Sequence, residues 1–133
     1  MPLHTLEETL SSEHAGLRRR LRDLLDLGDA AALAAELGAL AALLERHFAG
    51  EEAEGGLFAT LASSLPEATV AELRADHREI ESTLAEVVAL VSRPGATVPT
   101  PVVQALVATV AEHERRENTL FQQHLARDVG SGD

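Results

Sequence analysis

Apolar residues recur along this chain at alternating steps of three and four, the spacing that gathers side chains into one stripe on a helix. The first stripe reads Leu3, Leu10, His14, Leu17, Leu21, Leu24, and the second Leu33, Leu37, Leu40, Leu44, His47, Glu51, Glu54, Phe58. The third reads Val70, Leu73, His77, Ile80, Leu84, Val87, Val91, and the fourth Val103, Leu106, Val110, His113, Glu117, Leu120, His124. No stretch shows the two-residue alternation of a half-buried strand. The punctuation predicts a first helix from about Thr5, where Thr5 and Glu8 have the spacing of a capping box, to about Leu27, stopped by Gly28. Asp29 caps a second helix running to about Ala53, Gly55 and Gly56 bend the chain, and 57–63 continues as a helical extension. Ser64, with Pro66 and Glu67 in the first turn, opens a third helix that ends near Ser92. The prolines and glycine of 93–99 make a loop, Thr100 caps a fourth helix that ends near Asp128, and 130–133 is read as a disordered tail. Helices of this length on mostly short connections imply an all-α fold, an up-down-up-down four-helix bundle forming a single domain over 1–133.

Composition narrows the functions this bundle can have. With 133 residues the chain makes one small domain, and 45% apolar with 25% charged residues excludes a disordered or low-complexity segment. A formal charge of −11, with only 11 Lys and Arg, predicts no nucleic acid and no anionic membrane as partner. Without cysteine there is no disulfide, no thiolate metal site and no thiol nucleophile. The first thirty residues are interrupted by Glu7, Glu8, Glu13 and Arg18 to Arg20, so a signal peptide or spanning helix is not expected, and the chain reads as cytoplasmic. A protein partner is not specified by any of this.

The stripes are not purely apolar. His14, His47, His77 and His113 stand at core positions, as do Glu51 and Glu117. Counting ~1.5 Å of rise per residue away from each turn brings His14 level with His47, Glu51 with His77, and His77 with His113, so all six share one layer. A Glu four residues after a His is weak evidence alone, since His4, His47, His77 and His113 all have one, and such pairs often lie on a helix surface. Burial at a common height is different, because an unpaired carboxylate loses several kcal/mol on desolvation while a small domain has only about 5–15 kcal/mol of net stability. A bound cation removes that penalty. Four imidazoles and two carboxylates exceed the four ligands of a structural zinc, and mixed nitrogen and oxygen donors at a carboxylate-bridged pair suit iron, with manganese the nearest competitor. No Glu stands three residues before any histidine, which excludes the Glu-x-x-His pattern of ferritin-like di-iron bundles. Elsewhere, Glu7, Glu54 and His124 read as a partly solvated ion-pair cluster at one end of the bundle. Phe48 and Phe121 read as packing, Arg18, Arg19, Arg20 and Arg22 as a solvated face, and His4 as surface.

With His14 on the first helix, His47-x3-Glu51 on the second, His77 on the third and His113-x3-Glu117 on the fourth, the chain resembles the hemerythrin-like, or HHE cation-binding, family. That resemblance implies a metal-binding four-helix bundle with two non-heme iron ions, oxo- or hydroxo-bridged, binding O2 or the related molecules peroxide and NO. Carried over by position, His14 and His47 bind one ion, His77 and His113 the other, and Glu51 and Glu117 bridge them. Oxygen-carrying hemerythrins have a second His four residues from the third-helix ligand, where this chain has Leu73 before His77 and Glu81 after it. They also place an Asp five residues after the fourth-helix His, where Glu117 here comes at four. The pattern is nearer the members with four His and two Glu, and Glu81 is a further candidate ligand. A di-iron enzyme (peroxidase, NO reductase or oxidase) and an iron- or oxygen-sensing interaction module are the alternative functions.

Overall fold

The computed structural model describes residues 2–131, with side chains as far as Arg127. Four long helices, α1 (Leu3–Leu24), α2 (Ala30–Glu52), α4 (Glu67–Val91) and α5 (Thr100–Ser131), are joined by short links, with the six-residue α3 (Leu57–Ala62) between α2 and α4. There is no strand among the described residues, and no helix is long and apolar enough to cross a membrane. Helix α1 packs on α2 and α5, and α4 packs on the same two, so the four form a closed square. Neighbours on short links run antiparallel, which leaves the diagonal partners parallel: α1 with α4, and α2 with α5. This is the up-down-up-down bundle that the stripes imply.

Several helix ends differ from the expected ones, each for a local reason. Helix α1 starts at Leu3, and the carbonyl of Pro2 accepts from the amides of Thr5 and Leu6, so Thr5 lies inside the helix rather than at a capping box. Asp29 does cap α2, its carboxylate accepting from the amide of Ala32 at 3.0 Å. Pro66, not Ser64, precedes α4, because the Ser64 hydroxyl is hydrogen-bonded to His124 Nδ1 at 2.6 Å. The carbonyl of Pro99 opens α5 one residue ahead of the expected cap. That helix continues to Ser131, so the tail expected over 130–133 falls on its last residues and on 132–133, which lie outside the described residues.

Between α2 and α3 the chain reverses through Gly55, at φ +78°, a left-handed conformation that glycine adopts without strain. Gly56 is held for a different reason: a Cβ there would lie 2.3 Å from the carbonyl oxygen of Gly50 and 2.9 Å from that of Glu51. This close approach lets α3 fold back against the end of α2 and deliver Phe58 to the bundle interior.

The apolar interior has two parts. Leu17, Leu21, Leu33, Leu37, Leu40, Leu44, Ile80, Leu84 and Val110 belong to the larger one, toward the α1–α2 and α4–α5 links. Leu6, Leu10, Leu57, Phe58, Leu61, Leu73 and Phe121 form the smaller one at the opposite end, which α3 closes. Between them lies a polar layer.

Candidate metal centre

Each long helix contributes to this layer at the point where polar residues interrupt its apolar stripe. Helices α1 and α4 supply one histidine each, His14 and His77, both 0% exposed. Helices α2 and α5 supply a His and a Glu one turn apart, His47 with Glu51 and His113 with Glu117, all buried. Two sets of donor atoms converge, His14, His47, Glu51 and Glu117 in one and Glu51, His77, His113 and Glu117 in the other, the atoms of each set within 4.8 Å of one another. Both carboxylates belong to both sets.

The carboxylates are oriented as well as shared. Glu51 turns Oε2 toward His14 Nε2 at 3.6 Å and His47 Nε2 at 3.4 Å, and Oε1 toward His77 Nε2 at 3.1 Å. Glu117 turns Oε1 toward His14 Nε2 at 3.2 Å, and Oε2 toward His77 Nε2 at 3.2 Å and His113 Nε2 at 3.0 Å. Donors bound about 2.1 Å from one cation lie about 3.0–3.4 Å from each other at right-angled to tetrahedral angles. Five of these six contacts have that spacing before any ion is considered, and the sixth, from His14 to Glu51, is slightly longer at 3.6 Å.

The outer nitrogen of every imidazole has its own partner. Nδ1 of His47 meets Glu13 Oε2 at 2.5 Å, Nδ1 of His77 meets Glu52 Oε2 at 2.9 Å, and Nδ1 of His113 meets Asp76 Oδ2 at 3.3 Å. Nδ1 of His14 donates to the amide oxygen of Asn118 at 3.0 Å. These partners run around the square, α1 to α2, α2 to α4, α4 to α5 and α5 back to α1. A proton fixed on Nδ1 leaves Nε2 as the inward-facing donor atom, the outer support that metal-binding histidines require. None of these four partners was expected, because each sits beside a residue of the layer in the sequence and so off the core stripe: Glu13 before His14, Asp76 before His77, Glu52 after Glu51, Asn118 after Glu117.

Electrostatics shows what these atoms do without a cation. Burial lowers the pKa of His14, but the carboxylates of Glu117, Glu51 and Glu114 around it outweigh burial and push the imidazole up to about 10. His77 is lowered by burial in the same way and raised more strongly by Glu117, Glu51 and Glu52, to about 9. Burial pushes the carboxyl of Glu117 up, and the three imidazoles around it hold it well below the usual carboxylate range. Protons thus occupy part of a cation's place, and they do so incompletely. Nε2 of His14, His47 and His113, both oxygens of Glu51 and Oε1 of Glu117 are buried without a hydrogen-bond partner. Nitrogen and oxygen donors orphaned on the inside of one layer fit bound cations, since native interiors leave few such atoms unsatisfied.

Glu81 is not brought into either donor set. Its side chain is 37% exposed and pairs with Arg78 at 3.3 Å. The reason is helix polarity. One turn beyond a histidine leads along α2 and α5 into the layer, whereas on antiparallel α4 it leads toward the leucine core around Ile80 and Leu84. The end cluster also differs from expectation: His124 is buried against Ser64, while Glu7 and Glu54 are exposed. His4 and Arg18, Arg19, Arg20 and Arg22 are exposed, as expected.

Aromatic rings line one flank of the layer. Phe48 stacks on His77 with centroids 3.8 Å apart and Phe58 stacks on it at 4.8 Å. The two phenylalanines keep water from that imidazole.

No curated protein and no solved structure gives a significant match to the chain. The model of the family described as hemerythrin HHE cation binding domain matches residues 5–125, a span that begins in the first turns of α1 and takes in all four long helices. Since that span contains every histidine and glutamate of the buried layer, the chain belongs to the hemerythrin HHE cation-binding domain family.

Proposed function

We propose that the layer holds two iron ions and that the protein binds O2, or the related small molecules peroxide and NO, at that pair. The observation that supports this most directly is the division of each carboxylate, with one oxygen of Glu51 and of Glu117 facing each pair of histidines. On this reading the ligands are His14, His47, His77, His113, Glu51 and Glu117, with Glu81 outside the set and ion-paired to Arg78. The donors are neutral imidazoles and hard carboxylates without thiolate, a set that suits iron. When bound, an iron pair supplies the redox capacity toward O2, peroxide or NO that these side chains lack.

The chain's own residues perform the remaining work. Glu13, Glu52, Asp76 and Asn118 hold the four Nδ1 protons and so aim each Nε2 inward. Phe48 and Phe58 cover His77 with hydrocarbon, which limits water on that flank of the layer. His14 and His77 must give up their inward protons when a cation enters, so loading is coupled to proton release.

The test is elemental analysis with an optical spectrum of protein produced with iron. About two irons per chain, with ligand-to-metal absorption in the near ultraviolet, is the expected result, and His47→Ala or His113→Ala removes the absorption. One tightly held zinc per chain, or no metal retained, overturns the reading.

A further inference from the structure

The bundle has an approximate two-fold relation that exchanges α1 with α4 and α2 with α5, and it pairs the residues of the centre one by one. His14 answers to His77, His47 to His113, Glu51 to Glu117, and Glu13 to Asp76. The relation fails at two positions, and both concern the same histidine. Glu52 follows Glu51 and gives His77 a carboxylate at 2.9 Å, whereas Asn118 follows Glu117 and gives His14 a neutral amide oxygen at 3.0 Å. Phe48 follows His47 and stacks on His77, whereas Glu114 follows His113 and sets a carboxylate 3.8 Å from His14 Nδ1, beyond hydrogen-bond length.

The first of these differences bears on the strength of the inward nitrogen. An imidazole whose Nδ1 proton is held by a carboxylate is a stronger donor at Nε2 than one held by an amide. His77 and His113 both have carboxylate support, from Glu52 and Asp76, but of His14 and His47 only His47 has it, from Glu13. The surroundings differ in the same sense. Two phenylalanines, Phe48 and Phe58, stack on His77. On the other side Glu114 is 3% exposed with neither oxygen hydrogen-bonded, and His14 and Asn118 line a cleft of about 200 Å3 between α1 and α5, together with Glu7, Ser11, Arg18 and Gln122. The cleft gives water an approach to His14, an imidazole that also has the buried, unpartnered carboxylate of Glu114 at 3.8 Å.

Building on the two-ion reading above, we propose that the two positions are unequal, and that the ion held by His14 and His47 is the exchangeable one, bound last and released first. Asn118 and Glu114 are the residues that make it so. They act as positioning residues, since neither contributes a donor atom to either set.

Anaerobic release of iron(II) to a ferrous chelator, followed by absorbance, tests this on the full chain. Wild-type protein loaded with iron(II) is expected to give two phases of equal amplitude. Asn118→Asp, which restores the missing carboxylate at nearly constant volume, slows the fast phase by about tenfold and leaves the slow one in place. Glu52→Gln, its mirror substitution, speeds the slow phase by a similar factor, about tenfold, and leaves the fast one. Unchanged helicity of both variants by circular dichroism separates these effects from misfolding. Two ions leaving in a single phase, or the two variants acting on the opposite phases, overturns the inference while the two-ion reading stands. Saturation at one iron per chain removes that reading, and the inference falls with it.

Discussion

The imidazoles of the layer use their two nitrogens in opposite directions, and the sequence revealed only one of them. Nε2 points where the stripe points, so spacing alone predicts His14, His47, His77 and His113 beside Glu51 and Glu117. Nδ1 points across to a neighbouring helix, where the partner depends on the lateral offset of two packed helices, and spacing carries no record of that offset. Glu13, Glu52, Asp76 and Asn118 were therefore invisible, although adjacency to a residue of the layer is a usable signal once the square of helices is known. Glu114 was missed for the same reason: it is one position off the stripe and still buried. Glu81 shares the spacing of Glu51 and Glu117 but lies on a helix of the other polarity, outside both donor sets. Two substitutions separate these cases. Glu117→Gln puts an amide NH2 in place of one of the two oxygens that face the histidine pairs and removes the negative charge, and metal content by elemental analysis should fall to one ion per chain or fewer. Glu81→Gln, which loses only an ion pair with Arg78 at the surface, should leave metal content and absorption unchanged.

Elements were legible where the stripe is long and unlegible at their ends. The four long helices follow from threes and fours of Leu and Val, and Asp29 and the Gly55-Gly56 pair mark their boundaries correctly. Thr5 and Ser64 have the composition of caps, yet the carbonyl of Pro2 opens α1 and His124 takes the Ser64 hydroxyl, so a local backbone bond decides one end and a tertiary contact the other. The sharpest demand on an element is at Gly56, where backbone oxygens leave no room for a Cβ. Gly56→Ala must push α3 off the end of α2, and an overpacking loss of about 1–3 kcal/mol is expected in thermal unfolding of the metal-free protein. Because α3 carries Phe58 onto His77, the same variant should also release metal faster. Leu37→Ala probes the far half of the bundle instead. Leu37 is 0% exposed within the leucine core, so its truncation is expected to lower stability by about 2–5 kcal/mol while leaving metal content per chain unchanged. The two variants distinguish an element that shapes the centre from one that only supports the bundle.

At the scale of the whole molecule, the bundle places a layer of charge between two apolar cores, and its stability therefore depends on what neutralises that layer. In the metal-free protein protons do so, with a defined sign. His14 holds its proton to about pH 10 and His77 to about pH 9, against the ordinary 6.5 of an unfolded histidine. Between those limits the folded state binds more protons than the unfolded one, so stability is complete below pH 6.5 and is lost as pH rises through 9 to 10. Burial pushes Glu114 up to about 7 from 4.5, with the charges of His14 and Arg18 opposing it, and this adds a loss in the same direction as pH rises from 4.5 to 7. Glu117, held well below the usual range, acts only at the acid end, where stability falls as pH drops below 4.5. Chelator-treated protein should thus be most stable in mildly acidic solution, with a melting temperature that declines steadily from pH 7 to pH 10. Metal-loaded protein should lack this decline, because cations occupy the Nε2 atoms that protons leave, and an ion present at a thousand times its dissociation constant contributes about 4 kcal/mol. Thermal unfolding of both forms by circular dichroism across this range gives two curves that separate with rising pH. Curves that stay parallel would mean that the buried layer is not where protons and metal compete, and a rising metal-free curve would reverse the sign assigned to His14 and His77.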